Sequence, residues 1–263
     1  MTENYTQSEL EVSTSPEPLS FIDKLTGIFT EPSKVFENIR INGPKTSDWV
    51  IPILISIVIS IFTSWIIMSN PDLKVEVDAK QKKATEEQLD KLVKEGKITE
   101  QQKEEQLEQM EKSTSGMTML IIQWIGIIVF SFVIAFLLAL IYWLVWVFIL
   151  KGNGTYNHAL SVCGLSIFIT ILESILFAVL VLLFVKIIPG ISLAAVVDAQ
   201  EGSVTRFILS KINPFTFWWL YVLGAGLSKV YEVNKIKSII SIVLMWLIYV
   251  VIAVFVPVLR FGL

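Results

Sequence analysis

The chain has 263 residues, 54% hydrophobic and 17% charged, with a formal net charge of −3 and a mean hydropathy of +0.66. A soluble domain carries about 45–50% apolar and about 25% charged residues, so the composition excludes an ordinary soluble domain and, with charges gathered between long apolar runs, indicates an integral membrane protein. One cysteine and one histidine exclude an internal disulfide, a cysteine zinc site and a two-histidine metal site, and no basic patch with interleaved aromatics points to nucleic acid.

Residues 1–20 hold no Lys or Arg and no apolar core. They read as a disordered tail rather than a signal peptide. Residues 21–48 carry two amphipathic patterns. Ser20 caps the first, which bears Phe21, Leu25, Ile28 and Phe29; Thr30 is expected to cap the second, with Pro32 in its first turn and Val35, Phe36 and Ile39 on one face. Both are too polar to span. They either lie on the membrane surface, with Lys34, Arg40 and Lys45 as candidate lipid-headgroup contacts, or pack on the protein's own loops.

The first span is expected at 49–68, with Pro52 in its first turn. A charged segment, 69–116, follows. It holds nine Lys and twelve Asp or Glu in its stretch 70–115. Thr85 with Gln88 and Thr99 with Gln102 form two capping boxes on either side of Gly96, which predicts a helical hairpin. The remaining membrane domain is expected over 117–258, ahead of a short C-terminal tail at 259–263.

The apolar run 117–150 is 34 residues long, or about 51 Å as one helix. It must tilt, bend or leave the membrane, and Trp143 and Trp146 are expected to mark an interface. The polar turn "KGNGTYNH" leads to a third apolar run, 159–188, stopped by Pro189 and Gly190. His158 at its entrance is expected to cap or to contact headgroups, and Cys163 to pack. Next, Asn213 caps a helix that starts at Pro214, whose apolar part of about 22 Å is short for a bilayer. It carries an aromatic belt (Phe215, Phe217, Trp218, Trp219, Tyr221) and a candidate helix-packing site, Gly224, Gly226 and Ser228. The last span is expected at 239–258.

The fold class is therefore all-α: a polytopic membrane protein with five transmembrane helices and amphipathic interfacial helices near the N-terminus. With that terminus inside, internal segments carry Lys24, Lys34, Arg40, Lys45, Lys151, Lys229, Lys235 and Lys237, and the short external loops only Arg206, Lys211 and Arg260. The lysines of 70–115 would lie outside, against the same rule.

This order of parts resembles the Yip (Ypt-interacting protein) family, especially its bacterial members. The matching elements are "GIFTEPSKVFENIR" before the first span, "KGNGTYNHALSV" entering the third, and "NPFTFWWLYVLGAGLSKVYEVNKIKSI" leading into the last. The resemblance covers about 21–258, interrupted by the charged segment. It implies a five-span domain with a cytoplasmic N-terminus, and relatives that act in vesicle traffic and contact small GTPases. It supplies no catalytic residues. Many family members have a proline early in the third span; none lies in 159–188 here, so an unkinked third helix is expected.

Glu173 is the one ionisable residue in the middle of "FITILESILFAVLVLLF". A mid-membrane carboxyl is a functional-site hypothesis by default. No Lys, Arg or His lies at matching depth in the other expected spans. An unpaired carboxyl in low dielectric is expected to keep its proton and to bond across helices. Its expected partner is Gln123 or a nearby hydroxyl, which makes Glu173, Gln123 and Thr170 a candidate intramembrane polar site. Intramembrane proteolysis needs a Ser–His dyad, paired aspartates or a histidine-rich zinc site, and the sequence offers none, so no enzyme and no cofactor are expected. The reading is a membrane-organising or partner-binding, trafficking-like scaffold in a bacterial cytoplasmic (inner) membrane. Its partners are the lipid bilayer and either another protein or a second copy of itself. The alternative is a small-solute, ion or proton transporter component that uses Glu173.

Overall fold

The computed structural model describes residues 16–113, 117–188, 190–200 and 202–256. The tail before residue 16, Pro189, Glu201, Arg260 and the expected end of the last span beyond 256 lie outside the described residues. Ten α-helices make up the described fold, with no strand among those residues.

Helices α1 (Phe21–Thr30) and α2 (Pro32–Asn42) open the chain. Ser20 caps α1 in a full capping box with Asp23. Thr30 is the last residue of α1 and not a cap; Glu31 precedes α2, and Pro32 fills its first position. The apolar stripe of the pair is buried: Ile28, Val35, Phe36 and Ile39 belong to the main core. α2 packs on α9 and α1 on α7, so these helices close one end of the bundle. Asn38 also holds the stretch before α1, accepting from the Leu19 N–H at 3.0 Å and donating to the Glu17 carbonyl at 2.8 Å.

Four helices are long and apolar enough to cross a membrane, by length and composition: α3 (Ser47–Ser69), Ile121–Ile149 within and beyond α6 (Met117–Leu144), α7 (Tyr156–Phe184) and α10 (Lys235–Phe255). The expected fifth span is α9 (Pro214–Val230), whose 17 residues rise only about 26 Å. It is held between α2, α7 and α10. The 34-residue run ends in a π-helical turn, Val145–Ile149, that turns Trp146 into the core. Trp146 is not an interface residue: it is fully buried, and its indole donates to Ser238 Oγ at 3.1 Å. α7 runs without a break, as its lack of proline predicts. His158 caps its start, its Nδ1 accepting from the Thr155 N–H at 3.2 Å.

α3 starts at Ser47, two residues before the expected boundary, which puts Pro52 inside the helix. Pro52 has no N–H to give the Asp48 carbonyl. That oxygen lies against Gly164 of α7, where an added Cβ would stand 2.6 Å from it and 2.3 Å from the Trp49 Cα. Only glycine permits this approach, and α3 and α7 share the most extensive helix contact of the fold. Gly224 and Gly226 act likewise on α9 but not on one face. Two residues apart on a helix, they turn to different neighbours: Gly224 to Ile239 of α10, Gly226 to Phe36 and Val162. Ser228 instead donates to the Val233 carbonyl at 2.8 Å, closing the turn before α10.

The charged segment forms α4 (Pro71–Lys94) and α5 (Glu100–Ser113). Thr85 lies inside α4 rather than at a helix start, because Asn70 caps the helix fifteen residues earlier in the chain. The second capping box forms: Gln102 accepts from the Thr99 N–H at 2.9 Å and Thr99 Oγ1 from the Gln102 N–H at 3.2 Å. Gly96 takes the left-handed turn between the helices with φ 69°, and Lys103 pairs with Asp90 across them.

Candidate functional site

Two polar clusters lie inside the bundle, one beside the start of α3 and one about 14 Å farther along α7. At the near end, Lys24 of α1 reaches Asp48 in the first turn of α3 at 2.7 Å, with 4% and 1% of their side chains exposed. Asp48 also accepts from the Lys45 N–H at 3.0 Å. This pair fastens α1 to the start of α3.

The far cluster contains Glu173. In α7 it lies seventeen residues after Tyr156 and eleven before Phe184, about 26 Å and 17 Å along the axis. From Gly164, which meets the start of α3 at Asp48 and Trp49, Glu173 is nine residues or about 14 Å along α7, so the carboxyl lies well inside the helix rather than at either end. Its partner is neither Gln123 nor a hydroxyl. Gln123 is exposed on α6, Thr170 donates to the Ile167 carbonyl at 2.8 Å, and Glu173 accepts from Asn213 Nδ2. Asn213 works twice: its Oδ1 takes the Phe215 N–H at 2.8 Å, capping α9. A short α9 thus begins beside Glu173 rather than at the far end of α7.

The missing counter-charge comes from outside the spans. Lys211 ends α8 (Val204–Lys211) and is only 4% exposed. Its ammonium lies 5.1 Å from the Phe207 ring and 5.9 Å from the Tyr249 ring of α10, close enough to Glu173 to feel its charge. Burial holds Lys211 below its ordinary pKa, and the attraction of Glu173 opposes that. The Glu173–Asn213 bond thus joins α7 to the start of α9, and Lys211, against Phe207 and Tyr249, joins α8 to α10 two residues earlier in the chain. Sequence reading placed Lys211 in an external loop and Asn213 only as a cap. The usable signal was the length of α9: a helix too short to span must begin below the surface and bring its preceding residues with it.

The family model for the Yip1 domain matches residues 26–256. The chain belongs to the Yip1-domain family. No curated protein and no solved structure matches it. The matched stretch begins within α1 and ends just after α10; it holds Asp48, Glu173, Asn213 and Lys211 as well as the α4–α5 pair, with Lys24 just ahead of it.

The cationic residues near α2 are partly engaged within the protein. Lys34 pairs with Glu31 at 2.7 Å and is otherwise exposed. Arg40 bridges Glu37 and Glu232, each at 2.6 Å, and Lys229 joins Glu37 at 3.3 Å. The side chain of Lys45 is exposed. Among the described residues, no three His, Cys, Asp or Glu are grouped to hold a metal.

Proposed function

We propose that this Yip1-family membrane protein is a membrane-organising, partner-binding scaffold of a bacterial inner membrane, with its N-terminus inside. The observation that carries this reading is the α4–α5 pair. Two strongly polar helices stand at the far end of a membrane bundle and present charged residues such as Glu104, Glu105 and Glu108 to solvent. They bury only a small apolar seam of their own, centred on Leu89, which suits a contact surface better than an independent domain. The N-inside orientation is supported by Lys229, Lys235 and Lys237 clustering around the α9–α10 turn, at the end sealed by α1 and α2. Lys34, Arg40 and Lys45 border the same end and would meet headgroup phosphates there. The test is crosslinking and affinity capture from native membranes, with the full chain and with residues 70–115 removed. Specific partners lost on deletion support the scaffold.

A second reading, an ion or proton transport component, is favoured by one observation: Glu173 bonds Asn213, two residues after the buried Lys211. Flux from pure protein in liposomes, abolished in a normally folded Glu173→Gln variant, would establish transport and displace the scaffold reading.

A further inference from the structure

The cations at the end closed by α1 and α2 fall into two sets. Lys34, Arg40 and Lys229 are each bonded to a carboxylate. Lys151, Lys235 and Lys237 are exposed and have no carboxylate partner among the described residues. This second set gathers at the α9–α10 turn. Lys235 and Lys237 lie in the first turn of α10, which holds no acid. Lys151 precedes Gly152, where an added Cβ would stand 2.6 Å from the Tyr231 carbonyl. The protein supplies no counter-charge to these three ammonium groups.

Lys235 is held in place by α9. Its ammonium lies 5.1 Å from the centre of the Tyr221 ring and donates to Tyr221 Oη at 3.2 Å. Tyr221 keeps its own O–H to give. Two donors, one on each helix, therefore meet at one outward-facing spot. α9 exposes a single stripe, Pro214, Phe217 and Tyr221. Phe217 is one turn, about 6 Å, farther from the α9–α10 turn than Tyr221. It meets the partly buried Trp246 of α10 edge-on, with ring centres 6.1 Å apart. The seam between α9 and α10 thus changes from cationic donors to aromatic apolar surface within one helical turn. That order matches a phospholipid, a phosphate followed by hydrocarbon.

We propose that the seam between α9 and α10 binds an anionic phospholipid. Lys235 and the Tyr221 hydroxyl hold its phosphate, and an acyl chain lies over Phe217 and Trp246. Lys151 and Lys237 select a headgroup with net negative charge over a zwitterionic one. The strongest headgroup contact then falls at the α9–α10 turn rather than at Lys34 and Arg40, whose charges are met within the protein. The inference requires this turn to face the headgroups and does not depend on what the α4–α5 pair binds.

The test is native mass spectrometry of the full chain released from nanodiscs that hold equal amounts of phosphatidylglycerol and phosphatidylcholine. The unaltered protein is expected to retain phosphatidylglycerol at least about fivefold over phosphatidylcholine. Lys235→Gln is expected to lower that ratio about fivefold, the scale of one lysine at an anionic surface. Tyr221→Phe keeps the ring and loses the hydroxyl, and is expected to lower it about twofold. Lys45→Gln removes another exposed cation of the same end and is expected to leave the ratio unchanged. An unchanged ratio in Lys235→Gln overturns the proposal. So does an equal fall in Lys45→Gln, which would mean a diffuse charge effect rather than a site. Displacement of the retained lipid by excess glycerol 3-phosphate also overturns it, because the apolar half of the seam would then hold nothing.

Discussion

The two buried charge clusters pair the same residue types and are built differently. At the near end, Lys24 and Asp48 bond directly, and α3 touches α7 backbone to backbone at Gly164. At the far end, Glu173 is half-buried and bonded to Asn213, and Lys211 arrives on an eight-residue helix. In the near pair Lys24 stands on the ten-residue α1, and Asp48 lies in the first turn of the 23-residue α3, which packs on α7. In the far cluster, Asn213 and Lys211 come from the break between the eight-residue α8 and the start of α9. Fixity in this fold follows from what surrounds a charge, not from the charge itself.

The largest effect is expected from Lys24→Met, which strands Asp48 in the core; removing one partner of a buried pair costs about 3–5 kcal/mol. Thermal unfolding in micelles should show a loss of that size. An effect near zero would place the near end on the same footing as the far one. Gly164→Ala comes next, at about 1–3 kcal/mol, because the new methyl meets backbone atoms of Asp48 and Trp49 that cannot rotate away. Asn213→Ala removes both the α9 cap and the bond to Glu173, and is expected to cost about 1–2 kcal/mol. Its signature is local: faster amide exchange in α8 and the first turn of α9, with α3 unchanged.

The smallest effect is a pH dependence of the α2 network. Arg40 bonding draws the Glu37 pKa below its ordinary 4.5, burial opposes this, and Lys229 adds to the lowering. A carboxyl with a lowered folded pKa contributes stability above its ordinary value and loses it as pH falls through the lowered one. Glu37 is a third exposed, so screening keeps the contribution under about 1 kcal/mol. Glu37→Gln should flatten the acid limb of the stability curve by that amount; a steeper loss would mean the near end depends on its surface charges.

Much of the near end was legible in sequence. The stripes of α1 and α2 named Ile28, Val35, Phe36 and Ile39, and all four are core residues. The caps at Ser20 and Asn213 formed because a side-chain acceptor next to free N–H groups is a local matter. Thr30 failed as a cap because α1 extends through it, and Thr85 because nothing before it ended α4. Those outcomes depend on how far the preceding helix propagates, which local composition does not encode. The far site was partly hidden for a related reason. Glu173 stood out in its apolar run, but Asn213 is forty residues away and Lys211 thirty-eight. Only the folding back of a short α9 brings them together. The bonds of Glu76 and Lys80 to Ile187 link residues more than a hundred positions apart, which no local pattern encodes.

The difference between the two clusters is measured most directly by site-resolved hydrogen exchange of the full chain in lipid nanodiscs, with and without Asn213→Ala. The account predicts that amides of α8 exchange faster than those of α7 around Gly164, and that the variant widens this gap by speeding α8 and the first turn of α9 alone. Equal protection at both ends, or a variant that accelerates both together, would contradict it.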